Sequence, residues 1–383
     1  MLKVAVIGSG AISRAHIESY LRFRDRCTIA AICDIYPEKA EELRKQYGLD
    51  ARILKDYAEL LREDIDLVSV CTPPYTHADI TVDALNAGKH VVVEKPMASS
   101  LEECDRMNAA AAASGKILSV VSQNRFGDGI QKLKRALDSG LAGRIVHAQV
   151  DSYWWRGYVY YDLWWRGTWE KEGGGCTLNH AVHHIDMLQW LMGMPEQVTA
   201  VMSNTAHDNA EVEDLSIAIL KYPRALAQIT SSVVNHGQEQ QLIFQGEKAR
   251  VSMPWKAVAS VSKENGFPEE NAALEQELTE LADKVPPLRY TGHAGQLDDV
   301  LTAIENGTGK VLVTGQEGRR TLELITAIYQ AASTGMTVSL PLQSDSPFYT
   351  REGILKNAPR FYEKKNALIG FASNEITVSG EPS

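Results

Sequence analysis

In the first third of the chain, apolar residues come in short runs separated by amphipathic stretches. Residues 3–7, 27–33, 53–54, 67–71, 90–93 and 117–122 are runs of Val, Ile, Leu, Ala and Cys with little alternation. Such runs fit strands covered on both faces. Between them, 37–47, 57–61, 78–87 and 101–113 read as helices or helical turns. Strands regularly alternating with helices predict a doubly wound parallel sheet of Rossmann type. An amphipathic helix at 130–139 then stops at Gly140, and the period changes. Residues 144–153, 215–222, 226–234 and 241–245 alternate apolar with polar, and 248–253 and 257–261 add shorter candidates. Clustered alternating strands predict a C-terminal α+β domain built on a large, mostly antiparallel open sheet. Stretch 266–284 reads as a solvated loop plus helix. The expected division is one domain over 1–124 and a second over 125–383, whose last part, 344–383, is a polar extension.

A length of 383 residues agrees with two domains, since single cores stop growing below that size. The net charge of −10 argues against nucleic acid or an anionic membrane as partner. No apolar run approaches the ~20 residues of a membrane helix. Cys27, Cys33, Cys71, Cys104 and Cys176 are scattered and never spaced C-x-x-C, which disfavours disulfides and a structural zinc. The start runs straight into a strand with no secretory pattern, so the expected compartment is the reduced cytoplasm.

The first strand leads into Gly8-Ser9-Gly10-Ala11-Ile12-Ser13, a glycine turn opening a helix. Gly8 permits the tight turn, and Gly10 lets the backbone approach a pyrophosphate. The helix N-terminus at Ala11 and Ile12 attracts its charge. Ser13 stands where a third Gly or Ala is usual, and is still small enough for close helix–strand packing. The second strand ends in Asp34, at the distance expected of a carboxylate that accepts ribose hydroxyls. Asp34 is followed by Ile35 and Tyr36 with no arginine beside it, which favours NAD over NADP.

Two further stretches carry chemistry. The strand 90–93 runs out into Glu94-Lys95-Pro96, which places Lys95 at the carboxyl end of a buried strand, where open α/β sheets bind ligands. In Gly173-Gly174-Gly175-Cys176-Thr177-Leu178-Asn179-His180-Ala181-Val182-His183-His184-Ile185-Asp186, helical spacing puts Asn179, His183 and Asp186 on one face. Cys176, His180 and His184 have a spacing that fits zinc, but no further acidic or thiol ligand stands near, so no metal is expected. Residues 153–169 hold five of the seven tryptophans, with Tyr158, Tyr160, Tyr161, Arg156 and Arg166. This loop is a platform for sugar rings or, equally, a lid or an oligomer contact. Arg166 is the better substrate contact of its two arginines.

Cys71-Thr72-Pro73, His77, Ala87-Gly88-Lys89-His90-Val91, Glu94-Lys95-Pro96 and the Gly173–Asp186 stretch together resemble the Gfo/Idh/MocA family, the glucose–fructose oxidoreductase and inositol dehydrogenase group. The resemblance runs to about Leu342. It implies that Thr72, Pro73 and Glu94 lie by the cofactor and that Lys95 touches both nicotinamide ribose and substrate hydroxyl. His77 becomes a structural cap or a cofactor-side contact. His183 falls on the family's catalytic histidine and Asn179 on its Asp/Asn position, where it would place a substrate hydroxyl. Gln123 and Asn124, after the last strand of the first domain, become substrate-facing, with His180 a pocket or packing residue.

The reading that follows is an NAD-dependent oxidation of a secondary alcohol on a sugar, sugar derivative or cyclitol. Lys95 and His183 would handle the hydroxyl proton. The alternatives are an NAD-dependent glycoside hydrolase working by transient oxidation and elimination, or a non-catalytic NAD-binding regulator. His183 in place of a tyrosine base speaks against the first, and retention of both Lys95 and His183 against the second. Apolar positions in both phases of 215–222 and 226–234 predict a homodimer or homotetramer joined through the open sheet face.

Overall fold

The computed structural model describes residues 1–370. Its first sheet has six parallel strands, β1 (Leu2–Ile7), β2 (Cys27–Cys33), β3 (Arg52–Leu54), β4 (Leu67–Val70), β5 (His90–Val93) and β6 (Leu118–Val120). Helices α1 (Ala11–Tyr20), α2 (Pro37–Gln46), α3 (Tyr57–Leu60), α4 (His77–Asn86) and α5 (Leu101–Ser114) connect them. The strand order is β3-β2-β1-β4-β5-β6. Val4, Val6, Leu67, Val68, Val91, Val92 and Val93 are fully buried, which is why these strands read as unbroken apolar runs. The order reverses between β1 and β4, so a crevice opens there at the carboxyl ends of the strands.

The second sheet contains β7 (Ile145–Tyr153), β8 (Gln197–Ser203), β9 (Leu215–Tyr222), β10 (Ala225–Ser232), β11 (Gln240–Gly246), β12 (Ala249–Met253), β13 (Lys256–Ser262), β14 (Pro268–Glu270) and β15 (Val338–Ser339). Its order is β14-β13-β12-β11-β7-β10-β9-β8-β15, and every pairing is antiparallel except β7 with β10. Three of these strands escaped the sequence reading. β8 alternates and was missed although its pattern could have been read. β14 is an exposed Pro-Glu-Glu edge and β15 has only two residues, so neither carries a periodic signal. The stretch expected as a solvated loop plus helix thus contributes an edge strand as well as a helix.

Helices α6 (Asp128–Asp138), α7 (Cys176–Asn179), α8 (Val182–Met192), α9 (Ala272–Asp283), α10 (Gly292–Glu305), α11 (Gly315–Thr334) and α12 (Arg351–Asn357) complete the chain. Of these, α6, α8, α9 and α11 cover one face of the large sheet. Its other face leaves Val201, Ile217, Ile219, Leu226 and Val258 exposed. Helix α10 returns to the first sheet, where Ala294, Leu297, Val300 and Leu301 share a core with Val4, Val6, Ile17 and Leu67. The chain therefore crosses between the sheets more than once, and the layer over β1 is finished by residues far from it in sequence.

The stretch beyond Ser344, expected as a polar extension without a defined place, is built into the fold as far as residue 370. Phe348 is fully buried and Ile354 nearly so. The backbone of Phe361 donates to Glu211 O, that of Leu368 to Asp162 O, and Trp164 N donates to Leu368 O. These bonds strap the aromatic loop from outside. The apolar anchors are isolated in polar surroundings, which hides them from a pattern search. Residues 371–383 lie outside the described part.

Candidate active site

The residues expected to hold a dinucleotide gather at the carboxyl ends of β1, β2 and β4. Gly8 has φ +100°, and a Cβ there would sit 2.6 Å from Cys71 O, so only glycine fits between the two strand ends. Gly10 precedes α1, and nothing lies within 4 Å of where its Cβ would be. No side chain caps α1, which leaves the N–H groups of Ala11 and Ile12 pointing into that space. Ser13 is fully buried and its Oγ donates to Gly10 O at 2.6 Å. The Asp34 carboxylate is locked by two backbone donors, Ser9 N at 2.6 Å and Tyr36 N at 2.9 Å. Each oxygen keeps a second lone pair for a ribose hydroxyl. Ile35 is exposed beside it. A bare cradle, free N–H groups and an oriented carboxylate fit NAD.

Thr72 and Pro73 follow β4. Thr76 Oγ1 lies 2.7 Å from Thr72 Oγ1 and 2.9 Å from Pro73 O, which stiffens their turn. His77 is fully buried, with one ring nitrogen 2.8 Å from Thr72 O and the other 2.9 Å from Pro96 O. It therefore staples the Thr72 loop to the Lys95–Pro96 corner. Glu94 is buried in a hydrogen-bonded network. Its Oε1 meets His16 Nε2 at 2.9 Å and His293 Nε2 at 3.3 Å, and its Oε2 accepts from Lys95 N. His16 continues to Ser69 Oγ at 3.1 Å. Burial opposes the Glu94 charge, but the two histidines outweigh it and hold the carboxyl well below its usual range. A sequence search had no signal for His16, which lies two helical turns from the glycine turn.

Lys95 emerges from this floor. Its Nζ donates to Asn179 O at 3.1 Å, and burial pushes its pKa down, with Glu94 opposing and Arg166 adding to the shift. Asn179, His183 and Asp186 were expected on one helix face, but they fall on two helices. Cys176 O accepts from both His180 N and Ala181 N, at 3.1 and 2.9 Å, and this shared carbonyl breaks the regular ladder. Asn179 thus ends α7 while His183 and Asp186 lie on α8, so the three do not share one continuous face. Asn179 Nδ2 turns back to Gly174 O and Gly175 O. The α7 start is fixed by buried Glu213, which accepts from Gly175 N and Thr177 N and from the Tyr329 hydroxyl. A Cβ on Gly175 would lie 1.8 Å from Glu213 O, so the glycine run is there for close approach.

No hydrogen bond reaches the His183 ring among the described residues. Burial, and then the Lys95 charge, push its pKa well below the ordinary histidine value. Asp186 is structural: it pairs in a fork with fully buried Arg125, whose third donor meets Glu317 at 2.9 Å. His184 bonds Ser152 Oγ at 2.9 Å, and the Cys176 thiol donates to Ser231 O, so these two and His180 point to separate partners.

His180 faces Trp154 and Tyr160, with ring centroids 5.8 and 5.6 Å away. Its Nδ1 is buried without a partner, as are Gln123 Oε1 and Arg166 Nε. Gln123 and Asn124 sit in a short turn after β6, at the same end of the sheet as Lys95. Arg166 stacks on Tyr160 and Trp165, 4.2 and 4.3 Å from their centroids, and meets Glu172 at 3.1 Å. Glu172 was not singled out in the sequence, since it merely precedes the glycine run. Burial pushes its pKa up to about 7, with Arg166 opposing. The aromatic loop divides. Tyr161 and Trp169 are core, Trp154 and Tyr160 wall the site, and Trp155 is exposed.

Comparison with known proteins matches residues 2–122 to a model described as "Oxidoreductase family, NAD-binding Rossmann fold" and residues 130–252 to a "GFO/IDH/MocA C-terminal domain". The chain is 30% identical to inositol 2-dehydrogenase of Burkholderia cenocepacia, over 66% of this chain and 74% of that one. It is 26% identical to D-glucoside 3-dehydrogenase of Escherichia coli, over 88% and 97%. Its fold is similar to the WlbA dehydrogenase from Bordetella pertussis, crystallised with NADH and UDP-GlcNAcA. The TM-score is 0.76 at 31% identity, covering 89% of this chain and 99% of that one.

Proposed function

The chain belongs to the GFO/IDH/MocA family of NAD-binding oxidoreductases, and we propose that it oxidises a secondary alcohol of a sugar, sugar derivative or cyclitol. The relatives named as inositol and D-glucoside dehydrogenases support that substrate class. The observation that carries the reading is that Lys95 follows β5 and lies near enough to His183 for its charge to oppose protonation of the ring. One amine is held by a backbone carbonyl and one imidazole is left free. NAD, when bound, supplies the hydride acceptor. Lys95 Nζ, steered by Asn179 O, donates to the reacting hydroxyl. His183, kept neutral by its surroundings, takes the hydroxyl proton on its open nitrogen. Trp154 and Tyr160 wall the site, Gln123, Asn124 and His180 hold the other hydroxyls, and Arg166 is a further substrate contact. Asp34 selects NAD over NADP.

A panel of sugars, sugar acids and cyclitols tests this. At least one reduces NAD, as read by near-ultraviolet absorbance. Absence of reduction with either nicotinamide across the panel would refute the reading. We further propose a homodimer or homotetramer formed over the exposed face carrying Val201, Ile217, Ile219 and Leu226. A monomer by light scattering at micromolar concentration would contradict it. Among the described residues no helix is long and apolar enough to cross a membrane. Five free, buried thiols support a reducing compartment such as the cytoplasm.

A further inference from the structure

The substrate end of the cleft carries more positive charge than a neutral sugar needs. Lys95, Arg156 and Arg166 all lie near enough to His180 to oppose its protonation. Arg166 has one acidic partner, Glu172, yet keeps its Nε buried and unpartnered. Arg156 has none among the described residues. Its guanidinium lies 5.5 Å from the Trp154 ring and 5.6 Å from the Tyr160 ring, and it bonds Trp155 O, Gln238 Oε1 and the Tyr160 hydroxyl. Among the described residues Lys95 also lacks an ion pair, and its amine meets a carbonyl. His180 is itself more than nine-tenths buried and its Nδ1 has no partner. Buried polar atoms without partners, such as His180 Nδ1 and Arg166 Nε, are costly unless a ligand satisfies them.

We propose that the substrate carries a carboxylate, as a hexuronate or related sugar acid does, held by Arg156 and Arg166, which both lie against Tyr160. This rests on the sugar-dehydrogenase reading of the same site and names its substrate class. The planar guanidinium matches a carboxylate in a two-bond fork, and stacking on Tyr160 and Trp165 pre-orients the Arg166 plane. A phosphate is the poorer fit. It would bring a second negative charge up to Glu172, and the helix N-terminus that could share it lies at the nucleotide end. The neighbouring aromatic rings raise the strength of each ion contact by excluding water.

Calorimetric titration of the NADH-loaded enzyme tests this without turnover. The ligands are matched methyl hexosides, methyl hexuronides and phosphorylated hexosides in the gluco and galacto configurations. In at least one configuration the hexuronide binds roughly tenfold or more tighter than the hexoside, the scale of one charge-assisted contact. Arg156→Gln brings the two within about threefold of each other, Arg156→Lys restores part of the gap, and unchanged NADH affinity reports that each variant is folded. Added salt narrows the gap in the unmutated enzyme. Equal or weaker hexuronide binding in both configurations overturns the proposal, as does tighter binding of the phosphorylated sugar. A gap that survives Arg156→Gln overturns the role given to Arg156. Failure of the dehydrogenase reading would appear separately, as absence of NAD reduction in the carbohydrate panel.

Discussion

At the nucleotide end of the cleft, Gly8, Gly10 and the open start of α1 present backbone, and Asp34 is held by its own neighbours Ser9 and Tyr36. At the substrate end, Lys95, Gln123, Arg166, Asn179, His180 and His183 come from separate elements. Several of their polar atoms have no protein partner. The first end is complete in itself because it binds a constant ligand through geometry that one turn can encode. On the proposed reading, the second is left unsatisfied because its donors wait for a substrate. Preorganised but unpaired groups are what specificity requires, and they lower stability until they are used.

The largest expected effect breaks the substrate end alone. Lys95→Ala and His183→Ala each lower turnover by about 10²–10⁴-fold, the usual cost of losing a proton-handling group. NAD affinity, measured by titration, stays within a few-fold. The opposite lesion is Gly8→Ala. A Cβ placed 2.6 Å from Cys71 O at φ +100° forces β1 and β4 apart, at about 3 kcal/mol. It lowers the denaturation midpoint and NAD affinity together, a pairing that no substrate-end variant should reproduce.

A comparable effect appears with pH. Burial lowers the pKa of His184 to about 4, below the ordinary 6.5. Its folded-state pKa is depressed, so the unfolded chain binds the extra proton first. The contribution is full above pH ~6.5 and is lost as pH falls toward ~4, by up to about 3 kcal/mol. Denaturant unfolding of the unmutated protein and of His184→Gln, each at a series of pH values, checks this. The variant should show the shallower acid decline. The smallest effect sharpens the nucleotide end. Asp34→Ser with Ile35→Arg should erase an NAD preference of at least about tenfold, or ~1.4 kcal/mol. Equal kinetics with NADP before mutation would remove Asp34 from its role.

The same contrast decides what was legible in the sequence. The six parallel strands could be read because burial on both faces makes each an unbroken apolar run, and the glycine turn because its constraint is local. Lys95 and His183 were singled out through short motifs. Glu94 was named from its motif, but its network was not legible, because His16, Glu94 and His293 meet from three elements far apart in the chain. Glu172 and Glu213 were silent for the same reason: a buried acid has no periodicity, and its partner is a backbone amide or a distant side chain. The break between Asn179 and His183 was hidden too. Residues 176–192 have good helical spacing, and only a carbonyl shared between two amides interrupts it.

The central claim is that Lys95 and His183 act on one hydroxyl. Its most direct test is the double-variant cycle of Lys95→Ala and His183→Ala, with turnover measured on the best sugar or cyclitol found. Two groups serving a single proton transfer should be strongly non-additive, with the double variant losing far less than the product of the single losses. Losses that multiply would place the two residues in independent roles. Near-normal turnover in His183→Ala would remove this imidazole from the chemistry altogether.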